Sequence, residues 1–534
     1  MKTIIFFCFL LISIIIHAQE SYELIPYPNN LTKLEGCFEF KTELTVTVPA
    51  GFKPELDLMS EIFAEEYSVR LKPSPKGKII FRMNPQLKEE EYTIEVKEKG
   101  VIAEASSPAG CFWAFQTIRQ LLTLQGNGNY TIACCKIKDK PAFPWRGIML
   151  DVVRTFRQKS SIKALLDEMV LLKMNVFHWH LTDDQGWRIE ISKYPKLTGI
   201  GAWRDTSSVL SYPLSPYRVA TWGNIPPPVY SNKPNGGYYT KDDIREIVSY
   251  AMKRHITIIP EIEMPGHCSA AIASYPWLGS NDHVKKVPTK AKPAALNLAN
   301  EKVCLFMEDV LMEVMDLFPG KIIHIGGDEV KQKAWQDNEM IRSYMEKNGL
   351  QNYSDLQMKF INRIGNFVAG KGERMMGWNE IYGKSLGKDE YLTDDSNDKL
   401  NKQTIVHFWR GSPEVLKEVV ENGYDIVYSD NRYTYTTFSE DKIPLSKAYS
   451  TSPIPQGINP ENIKHILGVE CPMWSENSLR TIGFYPYIFP RIAAFAEVGW
   501  TNESNKDYTR FTGSLWKLKK HWDEKGILYS DRVD

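Results

Sequence analysis

Residues 321–329, KIIHIGGDE, join a short apolar run to two glycines and then to two neighbouring acids, Asp328 and Glu329. An apolar run of this length, bounded by turn residues, is typical of a buried β-strand. Glycines at its end allow a ligand or another part of the chain to approach closely. The stretch therefore predicts a buried strand with a pair of adjacent carboxylates at its C-terminal end.

Seven other apolar runs flank this one, and each also ends in polar or aromatic residues. With it they make eight: GIMLDVV (147–153), NVFHWHLTDD (175–184), ITIIPEIEMPGH (256–267), KIIHIGGDE (321–329), RMMGWNE (374–380), TIVHFWR (404–410), DIVYSD (425–430) and ILGVECPMWSE (466–476). Strands that are apolar almost throughout are typical of parallel sheets, because both faces are buried.

Helical patterns separate several of these runs. The apolar positions of residues 160–173 recur at the helix period, and so do those of residues 303–314. Eight buried strands alternating with helices predict a (β/α)8 TIM barrel. The alternative, an open doubly wound sheet, usually has a glycine-rich phosphate loop after a strand, and the sequence contains none.

Active sites of such barrels lie at the C-terminal ends of the strands. That rule selects a group of polar and aromatic candidates: Asp151, His180, Asp183, Asp184, Glu261, Glu263, His267, Asp328, Glu329, Trp378, Trp409, Tyr428, Asp430, Trp474 and Glu476.

The chain before the barrel has a different pattern. Short β-rich runs at 78–83 and 91–96 are followed by an amphipathic helix at 109–122. These features predict a small α/β domain preceding the barrel. We divide the chain into a signal peptide at 1–18, the α/β domain at 19–143, and the barrel with a C-terminal helix at 144–534.

The N-terminus predicts export. Lys2 precedes an apolar run from Ile4 to Ile16 and then Ala18, the pattern of a secretory signal peptide. The run is shorter than the roughly 20 residues of a membrane-spanning helix, so we expect no membrane span and a periplasmic or secreted protein.

Charge balance and cysteine spacing argue against a nucleic-acid-binding protein and against a disulfide-rich fold. Basic and acidic residues balance at 65 each, without the basic excess of a nucleic-acid-binding surface. The seven cysteines beyond the predicted signal peptide are irregularly spaced, which favours small buried side chains over a disulfide framework.

Asp328 and Glu329 are the strongest chemical signal. Two adjacent carboxylates repel each other, which raises one pKa and favours a protonated acid beside a charged helper. Two alternatives remain open. The pair could be a solvated loop, or the site could be that of a metal-dependent hydrolase with His178, His180, Asp183 and His267 as ligands.

Three tryptophans at strand ends, Trp378, Trp409 and Trp474, suit an aromatic box for one sugar ring. Arg146, beside the first strand, could bond vicinal hydroxyls or close one end of the barrel in a salt bridge. A secreted sugar-binding protein without catalysis is the non-enzymatic alternative.

The motifs WRGIMLDVVR, HWHLTDDQGWRIEI, PEIEMPGH, HIGGDEV, GWNEI and GVECPMWSE resemble the family 20 glycoside hydrolases, the β-N-acetylhexosaminidases, over about residues 144–500. The resemblance implies an exo-acting retaining enzyme that releases terminal GlcNAc or GalNAc. It also implies that the substrate's own acetamido oxygen is the nucleophile, an exception to the two-carboxylate rule that is known for this family, and that no cofactor or metal is needed.

The resemblance also implies roles for individual residues. Glu329 is the general acid and then the base, and Asp328 holds the acetamido N–H, while Tyr428 donates to the acetamido oxygen. The remaining expected contacts are to the substrate or its supporting network: Trp378, Trp409 and Trp474 around the acetamide and ring, Arg146 at the 3- and 4-hydroxyls, Asp430 at the 6-hydroxyl, Glu476 at the 4-hydroxyl, and Asp183 with His267 behind the acid.

Two departures from the family pattern stand out. Arg154-Thr155 replaces the usual Arg-His pair after the first strand. A tryptophan that often follows the seventh strand is missing, and we expect Tyr433 or Tyr435 to substitute for it on the leaving-group side.

Overall fold

The structure is a computed structural model that describes residues 22–126, 128–204, 235–289, 294–385, 394–475 and 484–533. The predicted signal peptide and Glu476 lie outside the described residues.

The N-terminal domain is a mixed sheet with two helices, Lys53–Tyr67 and Pro108–Leu121. The second helix begins after Ser107, whose hydroxyl accepts the Gly110 N–H at 3.1 Å and so caps the helix. The helix falls where the sequence predicts it. The strands are Asn30–Phe40, Glu43–Thr47, Arg70–Pro73, Ile79–Met83, Tyr92–Lys97, Gly100–Ala105, Thr123–Leu124 and Tyr130–Asp139.

The second domain is a closed barrel of eight parallel strands, which confirms the predicted fold. Each barrel strand lies within or overlaps one of the eight apolar runs. In chain order we label them β1 to β8: Trp145–Asp151, Val176–His180, Thr257–Glu261, Ile322–His324, Arg374–Trp378, Ile405–Phe408, Ile426–Tyr428 and Ile466–Met473.

Helices cover the outside of the barrel. Lys241–Met252 starts with a capping box between Thr240 and Asp243, and Asn300 caps Glu301–Leu317. The other helices are Lys159–Leu171, Lys196–Gly199, Ser269–Ser274, Lys333–Gln336, Glu339–Asn348, Tyr353–Gly370, Pro413–Glu421, Leu445–Tyr449, Tyr485–Ile488, Arg491–Trp500 and Tyr508–Lys525. Two short antiparallel pairs of strands join Thr182–Asp183 to Gly186–Trp187 and Trp203–Arg204 to Asn235–Gly236.

The inside of the barrel is built in layers. The lowest layer is apolar, with one residue from each of six strands: Trp145, Val176, Ile259, Met376, Ile405 and Val427. Because successive side chains of a strand point to opposite faces, the residue two positions further along also points inward. That step reaches a polar layer whose members contact one another: His178, Glu261, Trp378 and His407.

The cysteines in the described residues are unpaired, and six of the seven are buried, as the sequence predicts. Among these residues, no helix is long and apolar enough to cross a membrane.

Arg146 joins the two domains. It is at the start of β1, one position away from the inward-facing Trp145, so its side chain points out of the barrel. Its guanidinium is fully buried, pairs with Glu90 at 2.5 Å, and donates to the Lys173 carbonyl at 2.9 Å. The expectation that Arg146 binds sugar hydroxyls is therefore wrong. The alternative, a salt bridge at the end of the barrel, is correct.

We predict that Arg146→Met lowers the thermal unfolding midpoint without changing ligand binding at the opposite end of β1. Removing one partner of a buried ion pair costs about 3–5 kcal/mol. The control is Lys384→Met, which breaks an exposed pair with Glu418 worth ~0–1 kcal/mol. Equal midpoints for the two variants, with ligand affinity lost only in Arg146→Met, would contradict this assignment.

Candidate active site

A tight turn after β4 presents the two carboxylates. Gly326 and Gly327 adopt φ of 67° and 88°, and Glu329 itself has a positive φ of 46°. A Cβ on Gly326 would lie 1.7 Å from a carboxylate oxygen of Glu263, and one on Gly327 would lie 2.4 Å from Ile381. Both positions therefore require glycine for their backbone conformation and for the close approach of a neighbour.

Asp328 is the more buried carboxylate of the pair. Its Oδ1 is buried without a hydrogen-bond partner, and its Oδ2 lies 3.8 Å from His267 Nε2. Burial raises the pKa of Asp328 well above its usual value, and the negative charges of Glu380 and Glu329 add to the effect, while His267 opposes it. The raised pKa that the sequence predicts for one member of the pair thus belongs to Asp328.

Glu329 is more open, with 32% of its side chain exposed. Burial alone would raise its pKa, but His267, with Nε2 at 3.6 Å, outweighs burial and lowers it. The positive charges of Arg410 and Arg154 act in the same direction. The opposite pKa shifts therefore favour Asp328 as the protonated member of the pair.

His267 is held against the pair by two acids. Its Nδ1 lies 3.2 Å from Asp183 Oδ1 and 3.3 Å from Asp184 Oδ2. Although burial lowers the pKa of His267, Asp183 and the other neighbouring carboxylates raise it well above its usual value. His267 is therefore an imidazolium that contacts both catalytic candidates.

Arg154, which follows the first barrel strand but was given no role from the sequence, occupies the pocket end of the barrel. Its guanidinium lies 2.6 Å from Asp183 Oδ2 and 4.9 Å from the ring centre of Trp474. Arg154 follows the C-terminal end of β1, whereas Arg146 starts that strand. The rule that places active sites at C-terminal strand ends would have chosen Arg154.

Two of the three tryptophans, Trp409 and Trp474, flank a fourth ring, that of Tyr435. Its ring centre lies 6.2 Å from that of Trp409, in a stacked arrangement, and 6.4 Å from that of Trp474. Trp378 lies 5.8 Å from Trp474 and stacks on His407 at 4.1 Å. Together these rings line an aromatic pocket next to the two carboxylates.

Tyr435 belongs to the catalytic neighbourhood. Burial raises its pKa well above 10, and the charges of Asp328, Glu380 and Glu329 contribute to the increase. The phenol therefore remains protonated and able to donate a hydrogen bond. Tyr433, the other tyrosine expected on the leaving-group side, instead lies near Arg432 and Lys447.

Tyr428 lies elsewhere. Val427 belongs to the inward-facing apolar layer, so Tyr428, the next residue of β7, faces outward. Its ring stacks on Phe408, the outward neighbour on β6, with centres 6.5 Å apart. The ring of Tyr428 thus packs on Phe408, and the expectation that its hydroxyl donates to the substrate stays a prediction.

Asp430 follows Tyr428 and also has a partner outside the aromatic pocket. Arg432 Nε donates to both of its carboxylate oxygens, at 2.9 and 3.1 Å. Its charge helps to raise the pKa of Tyr428, after burial. The structure thus turns Asp430 towards Arg432 and not towards a sugar 6-hydroxyl. Glu476, expected at the 4-hydroxyl, lies outside the described residues.

Glu380 is a third carboxylate beside the pair that the sequence analysis did not single out. Its Oε2 accepts the Trp409 indole N–H at 2.9 Å, and Arg410 lies 3.3 Å from Oε1. Burial raises its pKa to about 7 although Arg410 and Trp409 lower it. Glu380 thereby fixes one wall of the aromatic pocket.

The residues of the metal alternative do not form one cluster. Among the described residues, possible ligand groups are His178 with His324 and His407, His180 with Glu261 and Glu263, and Asp183 with Asp184 and His267. The four proposed ligands fall into all three groups. His180 links two of them by bonding Asp183 at 3.0 Å.

Comparison with known families identifies the family of the chain. The model of the glycosyl hydrolase family 20 catalytic domain matches residues 143–503, and that of the family's domain 2 matches residues 21–140. The chain belongs to glycosyl hydrolase family 20.

Two curated relatives illustrate the similarity. A β-hexosaminidase of Porphyromonas gingivalis is 32% identical over 96% of this chain and 64% of its own length. A β-hexosaminidase of Vibrio furnissii is 31% identical over 89% of this chain and 76% of its own length. This chain thus spans less than two thirds of the first relative.

Solved family 20 structures have the same architecture. The exo β-N-acetylglucosaminidase of Vibrio harveyi, in complex with N-acetylglucosamine, has a TM-score of 0.83 at 30% identity and covers 96% of this chain and 78% of its own. The β-N-acetylhexosaminidase of Bacteroides fragilis has a TM-score of 0.78 at 28% identity. The match covers 96% of this chain and 97% of that chain.

The two tyrosines provide a matched pair of variants. On an aryl β-N-acetylhexosaminide, Tyr435→Phe should lower kcat by about 10²-fold, because the hydroxyl that orients a reacting substrate oxygen is lost. Tyr428→Phe should leave kcat near the wild-type value because its ring faces outward. The reverse pattern would identify Tyr428 as the substrate contact.

Proposed function

We propose that the protein is an exo-acting β-N-acetylhexosaminidase that releases terminal GlcNAc or GalNAc with retention of configuration. The observation that carries this proposal is the adjacency of Asp328 and Glu329 beside an aromatic pocket. The relatives and structural neighbours, which carry that activity in their names, support it.

Adjacency restricts the mechanism. A retaining glycosidase with its own nucleophile places two carboxyl groups about 5–5.5 Å apart on opposite sides of the sugar. Two consecutive residues at one turn meet the sugar from the same side. A nucleophile supplied by the substrate's acetamido group removes the need for a carboxylate across the ring.

Each residue then has a defined task. Glu329 donates a proton to the leaving oxygen and afterwards accepts one from water. Asp328 accepts the acetamido N–H, and Tyr435 donates to the acetamido oxygen as it attacks C1. Trp378, Trp409 and Trp474 pack around the acetamide and the sugar ring.

Substrate binding also accounts for the position of the proton. Burial favours a protonated Asp328, while His267 favours an ionised Glu329. An acetamido N–H that donates to Asp328 stabilises its charged form. The leaving oxygen beside Glu329 has to receive a proton, so it favours the protonated form of Glu329. Binding of the acetamido sugar thus moves the shared proton to the residue that uses it.

We also propose that the protein acts outside the cytoplasm. The basic residue and apolar run at the start of the sequence support export. Glycans that end in N-acetylhexosamine would be its substrates there.

The proposed function is tested with two aryl β-glycosides that differ only at carbon 2. The β-N-acetylglucosaminide should be hydrolysed with retention, as followed by NMR of the first product. The β-glucoside should react hardly at all because it lacks the attacking acetamido oxygen. Comparable rates for the two sugars would contradict the proposal.

The role of Glu329 predicts a dependence on the leaving group. Glu329→Gln should lower kcat by about 10²–10⁴-fold for a poor leaving group, the range of general acid catalysis. An activated aryl leaving group needs little protonation, so the rate of the bond-breaking step should fall less for that substrate. Equal losses on both substrates would show that Glu329 is not the acid.

The role of Asp328 predicts a change in pH dependence. In Asp328→Asn the remaining carboxyl is Glu329, whose pKa is lowered by His267 and the nearby arginines. Glu329 must be protonated for the acid step, so the alkaline limb of kcat/KM should move to lower pH. We also expect a loss of about 10²–10³-fold in kcat. An alkaline limb that stays in place or moves to higher pH would contradict the shared proton.

A further inference from the structure

Glu261 occupies the centre of the polar layer inside the barrel, at the end of β3 and fully buried. Its Oε1 accepts the Trp378 indole N–H at 2.7 Å. Its Oε2 bonds His180 Nδ1 and lies 3.2 Å from His178 Nε2. Its Oε1 also lies 2.9 Å from His324 Nδ1. One carboxylate therefore contacts an aromatic residue of the pocket and three histidines from the two neighbouring strands.

A chain of alternating charge leads from Glu261 to the catalytic acid. His180 Nε2 lies 3.0 Å from Asp183 Oδ2, Asp183 Oδ1 lies 3.2 Å from His267 Nδ1, and His267 Nε2 lies 3.6 Å from Glu329. The links before Glu329 are between buried side chains. Charges in such an interior are stable only when they are paired.

We propose that Glu261 is a positioning residue: its carboxylate fixes the Trp378 indole on the acetamide side of the site and, through His180, Asp183 and His267, the charge that faces Glu329. The inference rests on the proposed function, because it assigns a role within that reaction.

Glu261 controls the protonation state of His180. Burial alone lowers the pKa of His180, but Glu261 and Asp183 on its two sides raise it to about 10. His180 is therefore an imidazolium with a carboxylate at each nitrogen. Removing the charge of Glu261 leaves one of these two nitrogens without an acceptor.

Glu261→Gln changes the hydrogen bonds and charges in this series of residues in a defined way. A Gln amide offers one oxygen, which can accept from Trp378, and an NH₂ group that would face His180 Nδ1. That nitrogen can accept only if His180 is neutral. The substitution also removes the negative charge of Glu261, which helps to raise the pKa of Asp328. The pKa of Asp328 should therefore fall.

The sign of the effect follows from the acid step. Glu329 must receive the proton that Asp328 holds before substrate binds, and a lower pKa of Asp328 makes the pair lose that proton at lower pH. The alkaline limb of kcat/KM should therefore move to lower pH.

The charged groups facing Glu261 are His178, His180, His324, Glu263 and Asp328. Those facing Glu329 are His267, Asp328, Arg154, Arg410 and Glu380.

Glu470 provides a matched control inside the same barrel. It is as fully buried as Glu261, and it accepts from Trp145 Nε1 at 3.0 Å and bonds His178 Nδ1 at 2.7 Å. It does not contact His180 or Asp183 in the described structure. Glu470→Gln should therefore cost stability without moving charge next to the catalytic acid.

The experiment compares pH profiles of wild type, Glu261→Gln and Glu470→Gln on an alkyl β-N-acetylglucosaminide, together with thermal unfolding midpoints. Both variants should unfold at lower temperature. Only Glu261→Gln should move the alkaline limb, by about half a pH unit or more to lower pH, as expected for a changed charge in a buried network. Glu261→Asp, which keeps the charge, should return the limb towards the wild-type position.

Three outcomes would overturn the proposal: an unmoved limb in Glu261→Gln, a limb moved to higher pH in that variant, or equal shifts in Glu261→Gln and Glu470→Gln. If Glu261→Gln does not fold, His180→Gln replaces it. Loss of that positive charge raises the pKa of neighbouring carboxyl groups, so the limb must then move to higher pH. A wild-type protein inactive on every N-acetylhexosaminide would contradict the proposed function, whereas an active wild type with an unmoved Glu261→Gln limb contradicts only this inference.

Discussion

Pairing of buried charge inside the barrel is the interaction on which the site depends. A charge removed from water is tolerated only next to a partner. Here the barrel interior holds carboxylates and imidazoles in alternation, so each one limits where its neighbours can lie. The histidine that touches Glu329 is fixed in charge and position because Asp183 holds its other nitrogen. The charge pairing that stabilises the barrel interior therefore also fixes the positions of the catalytic residues.

A second constraint is the turn that follows β4. Two glycines in the left-handed region let the chain pass directly over Glu263 and Ile381. The turn places the next two residues together against the pocket. In the proposed reaction an acid and its charged neighbour then act from one side of the sugar, and the substrate supplies the nucleophile. That proposal rests on a local feature of the backbone.

Strand alternation decides which sequence predictions hold. The eight apolar runs predict the barrel because their composition directly reflects burial on both faces, and the structure confirms it. The composition of a run does not show which residues point inward. Tyr428 looks like a pocket residue by position, yet Val427 in the apolar layer turns it outward. Tyr435, in a loop without a repeating pattern, lies beside Trp409 and Trp474.

The two arginines illustrate the same limit. Arg146 and Arg154 flank one strand, and only the direction of that strand distinguishes the base of the barrel from the pocket. Sequence also selects Glu261 as a strand-end carboxylate. Its contacts with His180 and Trp378 join residues from three strands, and such long-range pairings are not encoded by local spacing.

The central claim, that the substrate supplies its own nucleophile, is tested most directly by weakening that nucleophile. Aryl β-glycosides whose N-acetyl group carries one, two or three fluorines differ little in size but progressively in the electron density of the acetamido oxygen. The account predicts that kcat/KM falls with each added fluorine. A rate independent of fluorination, together with a covalent sugar ester on a carboxylate detected by mass spectrometry, would contradict it.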